Sequence, residues 1–493
     1  MAVITGTNGD DELEGTEFDD EIYGLDGTDT IWGKGGDDLI DPGAGGYRDE
    51  EDSEVREFVD AGSGDDIVLL EWTREIEDAL HSLHGGEGTD ILKFDARDMD
   101  FVAWNYDDET GEPIGAERYT LKRLYFDGFE RLFYQGADLT DEENPPERDD
   151  VRGLSGDDRL FGNYGNDILR GGKGDDYIDG GIGSDRMYGG EGNDTLVVSE
   201  QGEDVFGQQG VDTVLSRVSH SLRAETENLN LLGTADINGS GNELDNVIRG
   251  NDGENILTGR DGNDTLDGKG GADNMRGGDG DDTYIVNSSG DQAQETSAAG
   301  GIDTVRSSAS FTLGEFVENL VQTGTGNIRG TGNSLGNSIA GNSGDNLLQG
   351  LGSADLLKGN GGDDAIEGGG GDDRIYGGGG NDELEGGAGR DRFYFTSTPG
   401  AFHADTITDF ATTDDLIYLA RYAFTNLGDN GQLDEDAFRT GSAAADAEDR
   451  IIYDATSGNL FYDADGVGGA AQQLFARVDP GLALSNADFI VYG

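Results

Sequence analysis

Apolar residues recur along this chain with a period of nine. From Gly6 it reads GTNGDDELE, GTEFDDEIY, GLDGTDTIW, GKGGDDLID. Runs of five begin at Gly153 and Gly241, a run of seven begins at Gly332, and single copies start at Ala61, Gly85 and Gly207. In all 24 copies the eighth position is apolar or aromatic, beginning Leu13, Ile22, Ile31, Ile40. The last three residues of a copy thus predict a short strand with one side chain turned inward, since neighbouring side chains alternate faces. The other six must reverse the chain, and glycine permits the positive φ and close backbone approach this needs. Two copies make an 18-residue coil, and coils stack at the strand spacing of about 4.8 Å.

Stacking puts the sixth positions in rows. They are Asp11, Asp20, Asp29, Asp38, Asp66, Asp90, Asp158, Asp167, Asp176, Asp185, Asp194, Asp212, Asp264, Asp273, Asp282, Asp355, Asp364, Asp373, Asp382 and Asp391. Two unit charges at that spacing repel by roughly 0.9 kcal/mol in water and by several-fold more at a partly buried site. A divalent cation between turns reverses the sign. Carboxylates with glycine carbonyls, here those of Gly156, Gly165, Gly174, Gly183, Gly192, Gly262, Gly271, Gly280, Gly362, Gly371, Gly380 and Gly389, are hard oxygen ligands that suit Ca²⁺. Mg²⁺ demands near-ideal octahedral geometry and gives up water reluctantly, and no His or Cys cluster invites zinc. Asn246, Asn255, Asn337 and Asn346 replace the acid at array entrances, and Phe18, Leu244, Leu335 and Ser353 replace the fourth-position glycine. These copies read as weak or non-binding turns that cap each array.

Composition sharpens the picture. The 493 residues hold 104 Asp+Glu against 32 Lys+Arg, a formal charge of −72, with 86 Gly, 6 Pro and no Cys. A nucleic-acid partner is excluded by charge, and disulfides and thiol chemistry by the lack of cysteine. No apolar run reaches the ~18–20 residues of a membrane span, and the amino terminus lacks the basic and apolar regions of a classical signal peptide. Low hydropathy with such a charge otherwise describes a disordered chain, but disorder does not keep a strict apolar period. One inward residue in nine makes a thin core, so calcium is expected to decide folding: an unfolded apo chain and a folded holo chain.

The repeat consensus, GGxGxDxUx, resembles that of the RTX (repeats-in-toxin) proteins secreted by Gram-negative bacteria. The resemblance implies an all-β fold, a calcium-stabilised right-handed parallel β-roll in several blocks with a C-terminal β cap. DTITDFATTDDLIYL at 405–419 resembles the segment closing the arrays of serralysin-like proteases, and the end, ALSNADFIVYG, resembles uncleaved signals read by type I secretion machinery. The expected location is therefore secreted and extracellular.

The expected organisation is an N-terminal block at 1–41, an irregular insert with isolated repeats at 42–152, a second block at 153–215, and a strand linker at 216–240. A third block follows at 241–286, a strand linker at 287–331, a fourth block at 332–394, and the β cap with secretion signal at 395–493. The linkers share a pattern: Asn228 to Asn242 and Asn319 to Asn333 are both 14 residues apart. FERLFYQGADL at 129–139 is a fainter relative. Within the insert, EWTREIEDALHSLH at 71–84 has helical apolar spacing at Ile76, Leu80 and Leu83. DEENPPERDD at 141–150 reads as a linker, and DRIIYDATSGNLFYDADG at 449–466 as a hairpin about Ser457-Gly458.

Catalytic signatures are weak. There is no HExxH, so the serralysin protease domain is not expected. His81 and His84 could share a helix face but read as ordinary helix residues. Gly332-Asn-Ser334-Leu-Gly336 matches GxSxG inside a repeat, without strand-to-helix context. DADGVGG from Asp463 fails as an EF-hand loop, because position 12 is Leu474. The expectation is a non-catalytic calcium-binding extracellular, surface or adhesion protein, with polysaccharide or cell surface as candidate partner. The alternative is a secreted polysaccharide-acting enzyme with its site in 42–152; a membrane-active toxin lacks its apolar region here.

Overall fold

The computed structural model describes residues 1–27, 29–45, 56–71, 80–87, 91–95, 124–127, 131–135, 150–296, 300–400 and 403–493. Trp72, Trp104, Asp90, the acidic run at 49–54 and nearly all of 141–150 lie outside them. The described residues are strands and turns, with helical turns only at Glu435–Ala437 and Asn486–Asp488. The fold is a parallel β-solenoid, as the nine-residue period requires. The chain divides into two compact units, residues 1–233 with 237–246, and 234–236 with 247–493.

In the first unit one parallel ladder runs through Glu21–Tyr23, Leu39–Asp41, Ile67–Glu71, Ile91–Asp95, Arg131–Gln135, Arg159–Phe161 and Tyr177–Asp179, and on to Asn228–Leu231. The alternate strands pair with one another on the opposite side, as Arg170 of Ile168–Lys173 does with Tyr188 of Arg186–Glu191. Within arrays partners are 18 residues apart, as Leu160 and Ile178 are. Outside them the interval stretches or shrinks: Val214 meets Leu229, and Leu92 meets Leu132. Turns absorb the difference, so the inward position stays in register. Leu160, Leu169, Ile178 and Leu196 are all 0% exposed, a one-residue-wide core.

The helix expected over 71–84 is corrected where the structure describes it. Leu80–Glu87 is a strand, paired with Arg56–Ser63 and Leu124–Asp127. Leu83 sits opposite Val59, both fully buried. Ladder hydrogen bonds and an inward site for Leu83 outweigh helical spacing. His81 and His84 therefore have no helix face to share.

The second unit repeats the design from Val247–Arg249 to Leu416–Ala420. Its far end is closed by mixed strands. Ile451–Asp454 and Asn459–Tyr462 form the expected antiparallel hairpin, which continues into Gln473–Arg477. Phe489–Tyr492 adds in parallel beside Leu416–Ala420. The core widens here: Phe424 and Phe475 lie edge to face at 5.1 Å, and Phe424, Phe475, Phe489 and Tyr453 are all at most 1% exposed.

Candidate metal centre

The aspartates sit where the stacking argument requires. Among the described residues each lies two residues before the inward apolar position, and in most the main-chain N–H donates to the carboxylate one coil on. Asp158 N–H reaches Asp176 Oδ1 at 2.7 Å, Asp176 reaches Asp194 at 2.8 Å, and Asp194 reaches Asp212 at 2.8 Å. In the last array Asp355, Asp364 and Asp373 bond likewise to Asp373, Asp382 and Asp391. One oxygen of each carboxylate is thus fixed by the ladder.

The other oxygen is not. Oδ2 of Asp38, Asp176, Asp185, Asp194, Asp212, Asp273, Asp355, Asp364, Asp373 and Asp391 is buried without a hydrogen-bond partner. An unsatisfied buried carboxylate oxygen is costly. Burial, opposed by the ladder hydrogen bond and aggravated by neighbouring carboxylates, pushes Asp176 up to about 8 and Asp212, Asp355 and Asp364 up to about 7. Asp38, Asp273 and Asp391 rise to about 6 for the same reasons, and burial brings Asp185 and Asp194 there too.

The first-position glycines show what surrounds that oxygen. A Cβ on Gly171 would lie within 3.0 Å of Asp176 Oδ2 and of the Gly189 carbonyl oxygen. A Cβ on Gly359 would likewise meet Asp364 Oδ2 and the Gly377 oxygen, and one on Gly368 would meet Asp373 Oδ2 and the Gly386 oxygen. A carboxylate oxygen and a carbonyl oxygen from the next coil therefore both lie within 3.0 Å of one point. The fourth-position glycines shape the turns. Gly165, Gly174, Gly183, Gly192, Gly262, Gly271, Gly280, Gly362, Gly371, Gly380 and Gly389 all have φ between +102° and +153°. A Cβ on Gly192 would strike the Gly174 carbonyl, so these turns stack glycine on glycine. The oxygen-only, acid-rich, donor-poor set fits a hard divalent cation, which would supply the missing positive charge.

Copies that depart from the pattern are satisfied differently. At Asn337 the side-chain Nδ2 donates to the carbonyls of Val317 at 3.1 Å and Glu318 at 3.2 Å, and Asn246 donates to those of Thr226 and Glu227 at 3.3 and 3.1 Å. The amide supplies the donor that a carboxylate lacks. Asp20 Oδ2 accepts from the Thr16 hydroxyl at 2.7 Å and its main-chain N–H at 2.6 Å. The Ala2 N–H foremost, then the Thr16 hydroxyl, hold Asp20 below the usual carboxylate range. Asp11 accepts from the Thr7 hydroxyl at 2.9 Å.

Seven acids that the repeat pattern misses continue the rows. Glu227 and Glu318 accept from the N–H of Asp212 at 2.8 Å and of Asp303 at 2.9 Å, although each is only 15 residues on. Asp303 accepts from Asp282, Asp405 from Asp382, and Asp415 from Asp391. Asp291 accepts from Asp273, and Glu203 accepts from the N–H groups of Ser199 and Glu200. The signal that finds them is an acid two residues before an inward apolar residue, regardless of glycine. Asp282, Glu295 and Asp303 also bring three carboxylate oxygens within 4.8 Å of one another, and Glu295 is bonded by the buried Tyr284 hydroxyl. Ser334 of the GxSxG match lies in an exposed turn, not at a strand-to-helix elbow.

Stacked coils with rows of ladder-held aspartates define a calcium-binding β-roll. The family model for the RTX calcium-binding nonapeptide repeat matches residues 5–40, 147–177, 161–196, 240–275, 259–292, 331–366 and 358–393. The chain therefore carries RTX calcium-binding repeats in multiple copies. No curated protein matches it.

Proposed function

We propose that this chain is a secreted protein that folds on binding Ca²⁺ outside the cell and acts there without catalysis, as an extracellular, surface or adhesion component. The observation that carries the reading is the row of buried aspartates whose second oxygen has no donor. In this reading the sixth-position aspartates and the turn carbonyls hold the ions, and the Asn turns close the arrays without one. Export through type I machinery would deliver an unfolded chain from low to millimolar calcium, where binding drives folding. The test is far-UV circular dichroism of the chelator-stripped protein titrated with Ca²⁺ and, separately, Mg²⁺. Conversion from coil to β-sheet near millimolar Ca²⁺ but not Mg²⁺ is expected. A fully folded apo protein indifferent to calcium overturns it.

A further inference from the structure

In the first unit one acid row runs into a histidine. Asp167 N–H donates to Asp185 Oδ1 at 2.8 Å. Glu203 follows one coil on, two residues before the inward Val205. His220 comes next, two residues before the inward Leu222. An imidazole thus stands where the next carboxylate would. Among the described residues the alternate ladder breaks at the same place. It ends at Asp204–Gln209, and a new one begins where His220–Ser221 pairs with Gly239–Ser240. An open cavity of about 440 Å³ lies there, lined by Glu203, His220, Ser219, Ser221 and Arg223 among others.

Two polar atoms in the cavity wall have no hydrogen-bond partner. Glu203 is 7% exposed, and its Oε1 accepts from the N–H groups of Ser199 and Glu200 at 3.0 and 2.8 Å. Its Oε2 is buried without a donor, and so is the Nε2 of His220 without a partner. Burial first, then the nearby Arg223, hold the imidazole down to about 4. At neutral pH the ring is therefore uncharged and keeps a lone pair. The Arg223 guanidinium is itself bonded to Asp204.

The second unit shows what the fold alone requires. VDTVLSRVSHSL at 211–222 returns there as IDTVRSSASFTL at 302–313, with Phe311 in the place of His220. Phe311 is a core residue, 7% exposed. Asp291, two residues before the inward Ala293, has both oxygens bonded. Oδ1 accepts from Asp273 N–H at 3.1 Å, and Oδ2 from the N–H groups of Asn287 and Ser288 at 3.2 and 3.0 Å. A satisfied aspartate and an apolar ring build this joint, so the Glu203 and His220 pair needs another reason.

Calcium takes oxygen ligands, whereas a carboxylate with a neutral imidazole suits a borderline ion such as Zn²⁺. We propose that Glu203 Oε2 and His220 Nε2 together bind one first-row transition-metal dication of the Zn²⁺ type at the end of this acid row. The sequence holds no histidine cluster near His220; stacking one coil on the next supplies the second ligand.

The test is calorimetric titration of the full chain, folded in saturating Ca²⁺, with Zn²⁺. One Zn²⁺ per chain is expected at the tightest site, bound without release of Ca²⁺. Its affinity should fall about tenfold or more in His220→Phe, which imitates Phe311, and in Glu203→Gln. The chain has four histidines. His81→Ala/His84→Ala/His403→Ala should therefore bind as the parent does, and Zn²⁺ should shift its single imidazole NMR signal. Circular dichroism checks that each variant folds; should His220→Phe not fold, that imidazole shift decides. No Zn²⁺ binding in saturating Ca²⁺, one-for-one displacement of Ca²⁺, indifference to His220→Phe and Glu203→Gln, or loss of binding with the other three histidines would each overturn the proposal.

Discussion

The main-chain N–H of Asp176 donates to Oδ1 of Asp194 at 2.8 Å, across one full coil. The same carboxylate is thereby pinned and half-satisfied, with Oδ2 of Asp194 left buried and without a donor. Every coil that repeats this contact gains a ladder bond and loses a hydrated charge. On the proposed reading something else must neutralise the row, and the consequences can be measured.

Removing the cation should unfold the roll. With the second oxygens uncompensated, chelation is expected to abolish the β-sheet signal. Readdition should restore it cooperatively, because each ion would lie between coils that its neighbour orders. Calorimetry in graded calcium should show the transition temperature rising with log[Ca²⁺]. A transition temperature unchanged over a hundredfold range of calcium would contradict this.

Acid should partly replace calcium. Aspartates in an unfolded chain titrate near 3.9, whereas burial raises Asp176 to about 8 and Asp355 and Asp364 to about 7. Between these limits the folded chain binds more protons than the unfolded one, so apo stability falls as pH rises from about 4 to 7 and grows as pH falls. The calcium-free protein should gain β-structure on acidification from pH 7.5 to about pH 4.5. The calcium midpoint should rise over the same interval, since protons compete for the same oxygens. An apo chain that stays a coil at pH 4.5 would refute the first expectation.

In the last array glycine should be needed at the first-position Gly359 and dispensable at the third-position Gly352, although Ala61 serves at the first position of one isolated copy. Gly359→Ala drives a methyl into Asp364 Oδ2 and the Gly377 carbonyl, while a Cβ on Gly352 meets nothing within 4 Å. The first should cost about 1–3 kcal/mol, in line with overpacking, and raise the calcium midpoint. Gly352→Ala should change neither. Equal effects of the two would show that glycine content, not the site, matters.

Asp364→Asn should remove part of the calcium response without breaking the roll. The amide can still accept the Asn346 N–H that Asp364 Oδ1 accepts at 2.7 Å. It loses the charge, as the chain itself does at Asn337. The calcium stoichiometry by titration should fall, with the β-sheet signal at saturating calcium preserved. Undiminished stoichiometry would remove Asp364 from the binding row.

The glycine-bearing copies were legible because one physical demand fixes two positions: an inward side chain at the eighth and a carboxylate at the sixth. Glu227 and Glu318 were not. Each closes a coil three residues short, and a glutamate, one methylene longer than aspartate, accepts the same N–H. Tyr284 looked like any eighth-position residue, yet its hydroxyl reaches both Gly277 N–H and Glu295. The segment at 71–84 read as helix because its spacing is locally amphipathic, and over Leu80–Glu87 only the neighbours Arg56–Ser63 and Leu124–Asp127 make it a strand.

The sequence by itself determined the repeat, the inward residue of each copy and the acidic row, since these are set by alternation and period along one strand. Tertiary structure alone decided which oxygen of each carboxylate is satisfied and that the ladders run on through coils of unequal length. Those features arise between residues about 18 or more positions apart, brought side by side by hydrogen bonds that no local pattern encodes.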